Sequence, residues 1–175
     1  MAVVIVATVG SASANSFATL AEATSYMEAR LNSTLWDAAT TDSQNRALVE
    51  ATRELSAKTW NGNRVDEIQA LSWPRDWAVD PDSPTADFYD TTLVPQRVKD
   101  AAVELAFQFV KAGTTDVAAL DPNIGTIEKT VDVLTTRYAE PYARAKGLER
   151  YPSVMRYIRP LLATPSAVNV PTVRG

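Results

Sequence analysis

Residues Pro95–Gly113, Pro-Gln-Arg-Val-Lys-Asp-Ala-Ala-Val-Glu-Leu-Ala-Phe-Gln-Phe-Val-Lys-Ala-Gly, decide the fold class. Pro95 suits a first helical turn, where its missing N–H costs nothing, and Gly113 supplies the stop. Val98, Ala102, Leu105 and Phe109 recur at helical spacing and form one apolar stripe. Ala101, Val103, Phe107 and Val110 populate the rest of the circumference. A helix apolar nearly all round is either the centre of a bundle or packed against a neighbouring subunit.

Two more helices precede it. Thr19-Leu-Ala-Glu22 has capping-box form, followed by Leu20, Ala23, Met27 and Leu31 at helical spacing, which predicts about three turns. Thr41-Asp-Ser-Gln44 is a second such box, with Leu48, Ala51, Leu55 and Thr59 on one face of the helix it opens. Arg46, Glu50 and Arg53 line the opposite face, and Glu54 with Lys58 would make an i,i+4 pair. Towards the C-terminus, Pro152 opens a short helix with Met155, Ile158 and Leu162 inward and Arg156 and Arg159 outward, ended or kinked by Pro160.

Between these helices the period is lost. Residues 61–94 hold the turn signal Asn61-Gly62-Asn63 and three prolines, Pro74, Pro81 and Pro84. Trp73, Trp77, Phe88 and Tyr89 imply that this long connection is folded down on the body. Ile124–Tyr138, rich in Ile, Val and Thr, reads as a two-stranded ribbon turning around Lys129–Asp132. Val3–Val9 reads as a strand or extended arm; it lacks a positive flank and is too short to span a bilayer. The reading is mainly α: a compact bundle of about four helices with a long folded loop, a small β-ribbon, and extended N- and C-terminal arms. Residues 1–16 form the N-terminal arm, 17–162 a single domain with its ribbon at about 124–138, and 163–175 the C-terminal arm.

Composition removes most chemistry. Among 175 residues there is no Cys and no His, which excludes disulfides, thiolate nucleophiles, imidazole bases and Cys/His zinc sites. Phosphate-cradling Gly-rich loops are absent, as are G-x-S-x-G and S-x-x-K motifs. Asp80, Asp82, Asp87 and Asp90 lack the Gly and terminal Glu of a calcium loop, so they read as a solvated surface. Glu50 and Glu54 lack the Glu-x-x-His partners of a di-metal bundle site. No catalytic residue, metal or cofactor is expected.

Net charge is −4, unevenly placed. From Arg137 to Gly175, seven basic residues against two acidic ones leave +5, and the remainder carries −9. An acidic body opposes a general nucleic-acid coat. Trp60, Arg64, Trp73, Arg75 and Trp77 are a modest version of the aromatic-and-basic pattern that binds single strands, but Asp66, Glu67, Asp76 and Asp80 surround it. The alternative is that these tryptophans are core or subunit-contact anchors.

Several runs then come together in order: Ala14-Asn-Ser-Phe17, Leu20-Ala-Glu-Ala23, Trp36-Asp-Ala-Ala39, Leu48-Val-Glu-Ala-Thr-Arg53, Trp60-Asn-Gly62, Gln69-Ala-Leu-Ser-Trp-Pro-Arg75, Val94-Pro-Gln-Arg-Val-Lys-Asp-Ala-Ala102, Ile127-Glu-Lys129 and Arg159-Pro-Leu-Leu162. They resemble the tailed-phage proteins known as DnaT-like single-stranded-DNA-binding proteins, which in turn resemble the head–tail connector (adaptor) subunits ringed beneath a portal. One departure is Asp132, where the resemblance leads one to expect Gly.

That resemblance implies a homo-oligomeric ring of about twelve copies, a portal partner, a downstream tail or stopper protein, and transient contact with passing double-stranded DNA. It implies no membrane, a place in the virion neck, and synthesis in the host bacterial cytoplasm. Within it, Arg156, Arg159, Val168, Val170 and Val173 are candidates for portal docking. Trp60, Trp73, Trp77, Phe107 and Val110 are candidates for subunit contact, and Ile127, Lys129, Val131 and Val133 for ribbon contacts. The alternative function is a single-stranded-DNA-binding replication accessory protein; a stopper or tail terminator and a small-molecule enzyme rank lower.

Overall fold

The computed structural model describes residues 2–113, 128–131, 134–137 and 147–163, the two four-residue segments as backbone. The expected central helix is α4 (Gln96–Ala112), since α1 (Leu20–Glu28), α2 (Thr34–Asp37), α3 (Thr41–Ser56) and α5 (Pro152–Ile158) all belong to one bundle built on it. Pro95 caps its start, and Gly113, at φ 67°, takes the left-handed turn that ends it. Its most extensive contacts are with α3 and α5; α1 and α2 add to them. Cover on so many sides accounts for the near-circumferential apolar pattern. Val98, Ala101, Ala102, Leu105 and Ala106 are fully buried.

α1 begins as expected. Thr19 Oγ1 accepts from the Glu22 N–H at 3.2 Å, and Glu22 Oε2 accepts from the Thr19 N–H at 2.7 Å. It ends sooner than expected. The chain tightens with the Arg30 N–H donating to the Met27 carbonyl, so Leu31 lies outside the helix and is exposed. The second box is also displaced by one residue: Thr40, not Thr41, is the cap and accepts from the Ser43 N–H. Gln44 then falls out of the box and donates to the Trp36 carbonyl at 2.8 Å. Because α3 stops at Ser56, Thr59 is exposed and Lys58 lies beyond the last turn. The expected Glu54–Lys58 pair is replaced by Asp42–Arg46 and Glu50–Arg53.

α2, four residues long, was not legible from periodicity, yet it carries the fully buried Trp36. The N-terminal stretch is extended and lies on its own chain. Val3 N–H donates to Asp42 Oδ1 and Asn45 Nδ2 to the Val3 carbonyl, both at 2.9 Å. The side-chain amide of Asn15 brackets Val4 and Val6 as a neighbouring strand would.

Residues 57–95 fold down on the bundle through a two-residue ribbon, β1 (Asn63–Arg64) against β2 (Arg75–Asp76), in antiparallel register Asn63↔Asp76 and Arg64↔Arg75. Gly62 stands at φ 73°, where an added Cβ would come within 2.3 Å of the Asp76 carbonyl oxygen, so only glycine fits. The run Gln69–Arg75 is the clasp of this loop. Buried Gln69 donates to the carbonyls of Leu71 and Pro74, and the Trp73–Pro74 bond is cis. Arg75 donates to the carbonyls of Asn61, Gly62 and Ser72.

The second ribbon pairs β3 (Glu128–Val131) with β4 (Leu134–Arg137) in register Glu128↔Arg137 and Val131↔Leu134. This corrects the expected turn: Lys129 is inside a strand, opposite Thr136, and the reversal comes after Val131. Pro152 opens α5, and Arg159–Leu161 continue it as a tighter turn through Pro160. That turn closes on the loop: the Asn61 N–H reaches the Leu161 carbonyl at 2.9 Å, and the Ala163 N–H reaches the Thr59 carbonyl at 3.0 Å. No helix among the described residues is long and apolar enough to cross a membrane.

Candidate interaction surface

The long loop separates its tryptophans by depth. Trp60 and Trp73 are 4% and 1% exposed, and their rings meet edge to face at 5.7 Å, with Tyr89 completing the stack at 5.9 Å. Trp77, four residues after Trp73, is 60% exposed and sits at φ 60°. An aromatic residue in that region carries about 1 kcal/mol or more of strain, and such strain gathers where a side chain is held out for use. Gly62 permits the close backbone approach just before it, and the Trp77 N–H is fixed on Asp76 Oδ1 at 2.9 Å.

Opposite Trp77 stands Phe88, 49% exposed, with ring centroids 5.2 Å apart at 77°. A small hairpin-like turn holds it there: Val79 bridges Phe88, the Asp80 N–H donates to the Asp87 carbonyl, and the Tyr89 N–H to the Ala78 carbonyl. Val79, also exposed, extends the apolar surface. Sequence reading placed Trp77 among the contact candidates and missed Phe88. Two aromatics eleven residues apart share a face only because this turn pairs their strands.

Aspartates flank this patch along the chain, Asp76 before Trp77, Asp80 after Val79 and Asp87 before Phe88. Residues 76–94 contain five aspartates (Asp76, Asp80, Asp82, Asp87, Asp90) and no Lys or Arg. Asp82 is held by Arg97 from α4. Asp90 caps the turn at Thr92, whose hydroxyl and N–H lower its pKa. Burial, followed by the hydrogen bond to Asp80, pushes the Tyr89 hydroxyl up to about 12. The aspartates thus organise their own turns, and no group among the described residues is arranged to hold a metal ion.

The single-strand pattern comes apart in three dimensions. Trp60 and Trp73 are in the core, and Arg75 is turned inward onto backbone carbonyls, its pKa lowered by burial and by neighbouring Arg64. Arg64 and Trp77 are left facing out. Among the other contact candidates, Phe107 is buried beneath Arg30, whose guanidinium lies 4.7 Å over its ring. Val110 is half-buried and lines a groove of about 550 Å³ with Leu35, Ala39 and Phe109.

Arg156 and Arg159 are both exposed. Arg156 lies over the Tyr157 ring at 4.7 Å, and Arg159 donates to Glu149 at 2.9 Å. Lys129 and Val131 belong to β3, while Ile127, Val133, Val168, Val170 and Val173 lie outside the described residues.

A polar cluster that the sequence did not announce sits inside the bundle. Glu104 of α4 is 2% exposed; it accepts from Tyr26 Oη at 2.7 Å and from Arg30 Nη1 at 2.8 Å. The hydroxyls of Tyr26 and Tyr157 lie 3.0 Å apart, so the cluster ties α1 to α4 and α5. Burial and the bonds to Tyr157 and Glu104 raise the Tyr26 pKa. A hydrogen-bonded carboxylate with a cation beside it is how a bundle tolerates a charge at such depth, so this cluster is structural.

A family model described as "Putative DnaT-like ssDNA binding protein" matches residues 1–175, and the chain belongs to that family. No curated protein and no solved structure shows a significant match to it.

Proposed function

We propose that this member of the DnaT-like family is a structural assembly subunit, a head–tail connector that joins a capsid portal to a tail and lines the DNA exit channel. The observation that supports it most is the Trp77–Phe88 pair: exposed aromatic surface flanked along the chain by aspartates. Aromatics are enriched in protein interfaces. A stacking platform for nucleic acid needs cations beside the rings to track phosphates, whereas carboxylates beside them repel phosphate.

Six cations among the described residues fit the same reading. Arg30, Arg46, Arg53, Arg97, Lys99 and Arg159 are each in an ion pair with a carboxylate. An acidic body repeated around a channel in about twelve copies lets duplex DNA pass with only transient contact. In this reading the chain is made in the host bacterial cytoplasm and ends in the virion neck. The tail 163–175, with Val168, Val170 and Val173, docks on the portal, and a tail or stopper protein follows below. The family's description names binding and no catalysis.

A second reading, a single-stranded-DNA-binding replication accessory, is favoured by the family's description and by Arg64, exposed on the strand paired with the one leading into Trp77. Oligonucleotide binding measured across a salt series separates the two. The connector reading expects weak binding at every salt concentration. Affinity that is high at low salt and falls steeply as salt rises would put replication first.

A further inference from the structure

Two surfaces of the chain, one apolar and projecting, the other concave, are opposite in charge. The first is the Trp77–Phe88 pair on its acidic loop. The second is a groove of about 210 Å³ on α5, lined by Glu149, Pro152, Met155, Arg156 and Arg159. Its lining includes Met155, only 6% exposed, and two arginines, Arg156 with its guanidinium over the Tyr157 ring and Arg159 bonded to Glu149. A thioether is a favourable partner for an aromatic ring edge, and guanidiniums are favourable over ring faces. Arg156 already adopts that geometry over Tyr157.

The charges agree after the internal pairs are set aside. Of the five aspartates in residues 76–94, Asp82 is paired with Arg97 and four carry the negative charge, whereas in residues 147–163 Glu149 is paired with Arg159 and the balance is positive through Arg150 and Arg156.

We propose that the Trp77–Phe88 edge of one copy seats in the Met155 groove of a second copy, between Arg156 and Arg159. The two surfaces differ, so the contact is heterologous, and repeated head to tail it generates a ring where the rotation closes. This deepens the connector reading and rests on it for closure. It places Arg156 and Arg159 in the seam between subunits and leaves portal docking to the tail.

The chain contains no cysteine, so introduced ones report without background. Val79→Cys places a thiol beside Phe88, and Pro152→Cys places one in the lining of the groove. Mixing the two full-length variants at high concentration and low salt, with oxidised glutathione supplied as the oxidant, should give a mixed disulfide in excess of either self-disulfide. Trp77→Ser, or Arg156→Glu with Arg159→Glu, should lower its yield by roughly tenfold. Asp87→Arg on the loop partner should restore part of the yield lost to the arginine reversals. Circular dichroism checks that each variant is folded. Self-disulfides in excess, or no disulfide between folded variants, would overturn the seam. Counting the chain in purified particles tests the underlying reading separately. Near-parity with the portal but no mixed disulfide keeps the connector and removes the seam, and absence from particles removes both.

Discussion

Replacing Arg30 with methionine removes the cation from a carboxylate that is 2% exposed in the middle of the bundle. Breaking a fully buried pair in this way costs about 3–5 kcal/mol. Arg30 itself is 29% exposed, so water and ions reach the vacated side and the cost falls below that range, to about 2–3 kcal/mol. Loss of the guanidinium from above Phe107 adds about 0.5 kcal/mol. For a chain of this length that is a fall in Tm of roughly 5–14 °C. Glu104→Met alone should cost less, about 1–2 kcal/mol, because freed Arg30 can turn to solvent and Tyr26 keeps the Tyr157 hydroxyl. The double variant should cost about 2 kcal/mol less than the sum of the two, measured by urea unfolding with unchanged slope. Additivity within about 0.5 kcal/mol would refute the claim that Glu104 depends on Arg30.

Three further outcomes follow from the loop and the caps. Gly62→Ala should destabilise by more than about 2 kcal/mol, since its Cβ would strike the Asp76 carbonyl; Gly113→Ala, with open space around it, should cost about 1 kcal/mol for the positive φ alone. Denaturant curves of the two variants compare them directly. Trp73→Ala should cost about 3–5 kcal/mol, while Trp77→Ser should leave the unfolding midpoint nearly unchanged and affect self-association only. Burial raises the Glu22 pKa, but its hydrogen bonds with Lys99 and Thr19 outweigh this and hold it below the usual 4.5. A depressed folded-state pKa stabilises above the unfolded value, so this contribution is complete above about pH 5 and lost as pH falls through the folded value. Glu22→Gln should therefore flatten the acid limb of the stability curve below pH 5, by under about 1 kcal/mol given its exposure.

The helices were legible because their signals are local. Thr19 and Glu22, Pro95 and Gly113, and the stripe from Val98 to Phe109 each act within a turn or two of chain. The errors at their ends have local causes as well. Thr40 and Thr41 are chemically equivalent caps, and only the docking of Gln44 on α2 selects the first. What was not legible depends on contacts distant in sequence. Trp36 sits on a helix too short to show a period, and Glu104 looks like an ordinary polar position until Tyr26, Arg30 and Tyr157 converge on it. The run Gln69–Arg75 is the clasp that folds the loop down. It thus presents Trp77 outward while Trp73 goes inward. Composition could count these tryptophans but could not rank their depth.

A connector subunit is a building block of the particle and must be found there in fixed number. Quantitative mass spectrometry of gradient-purified virions would count it against the portal subunit. A connector would be present in near-equal numbers, about a dozen copies each. Absence from virions, with abundance in the infected-cell lysate, would contradict it and put single-stranded-DNA binding in its place.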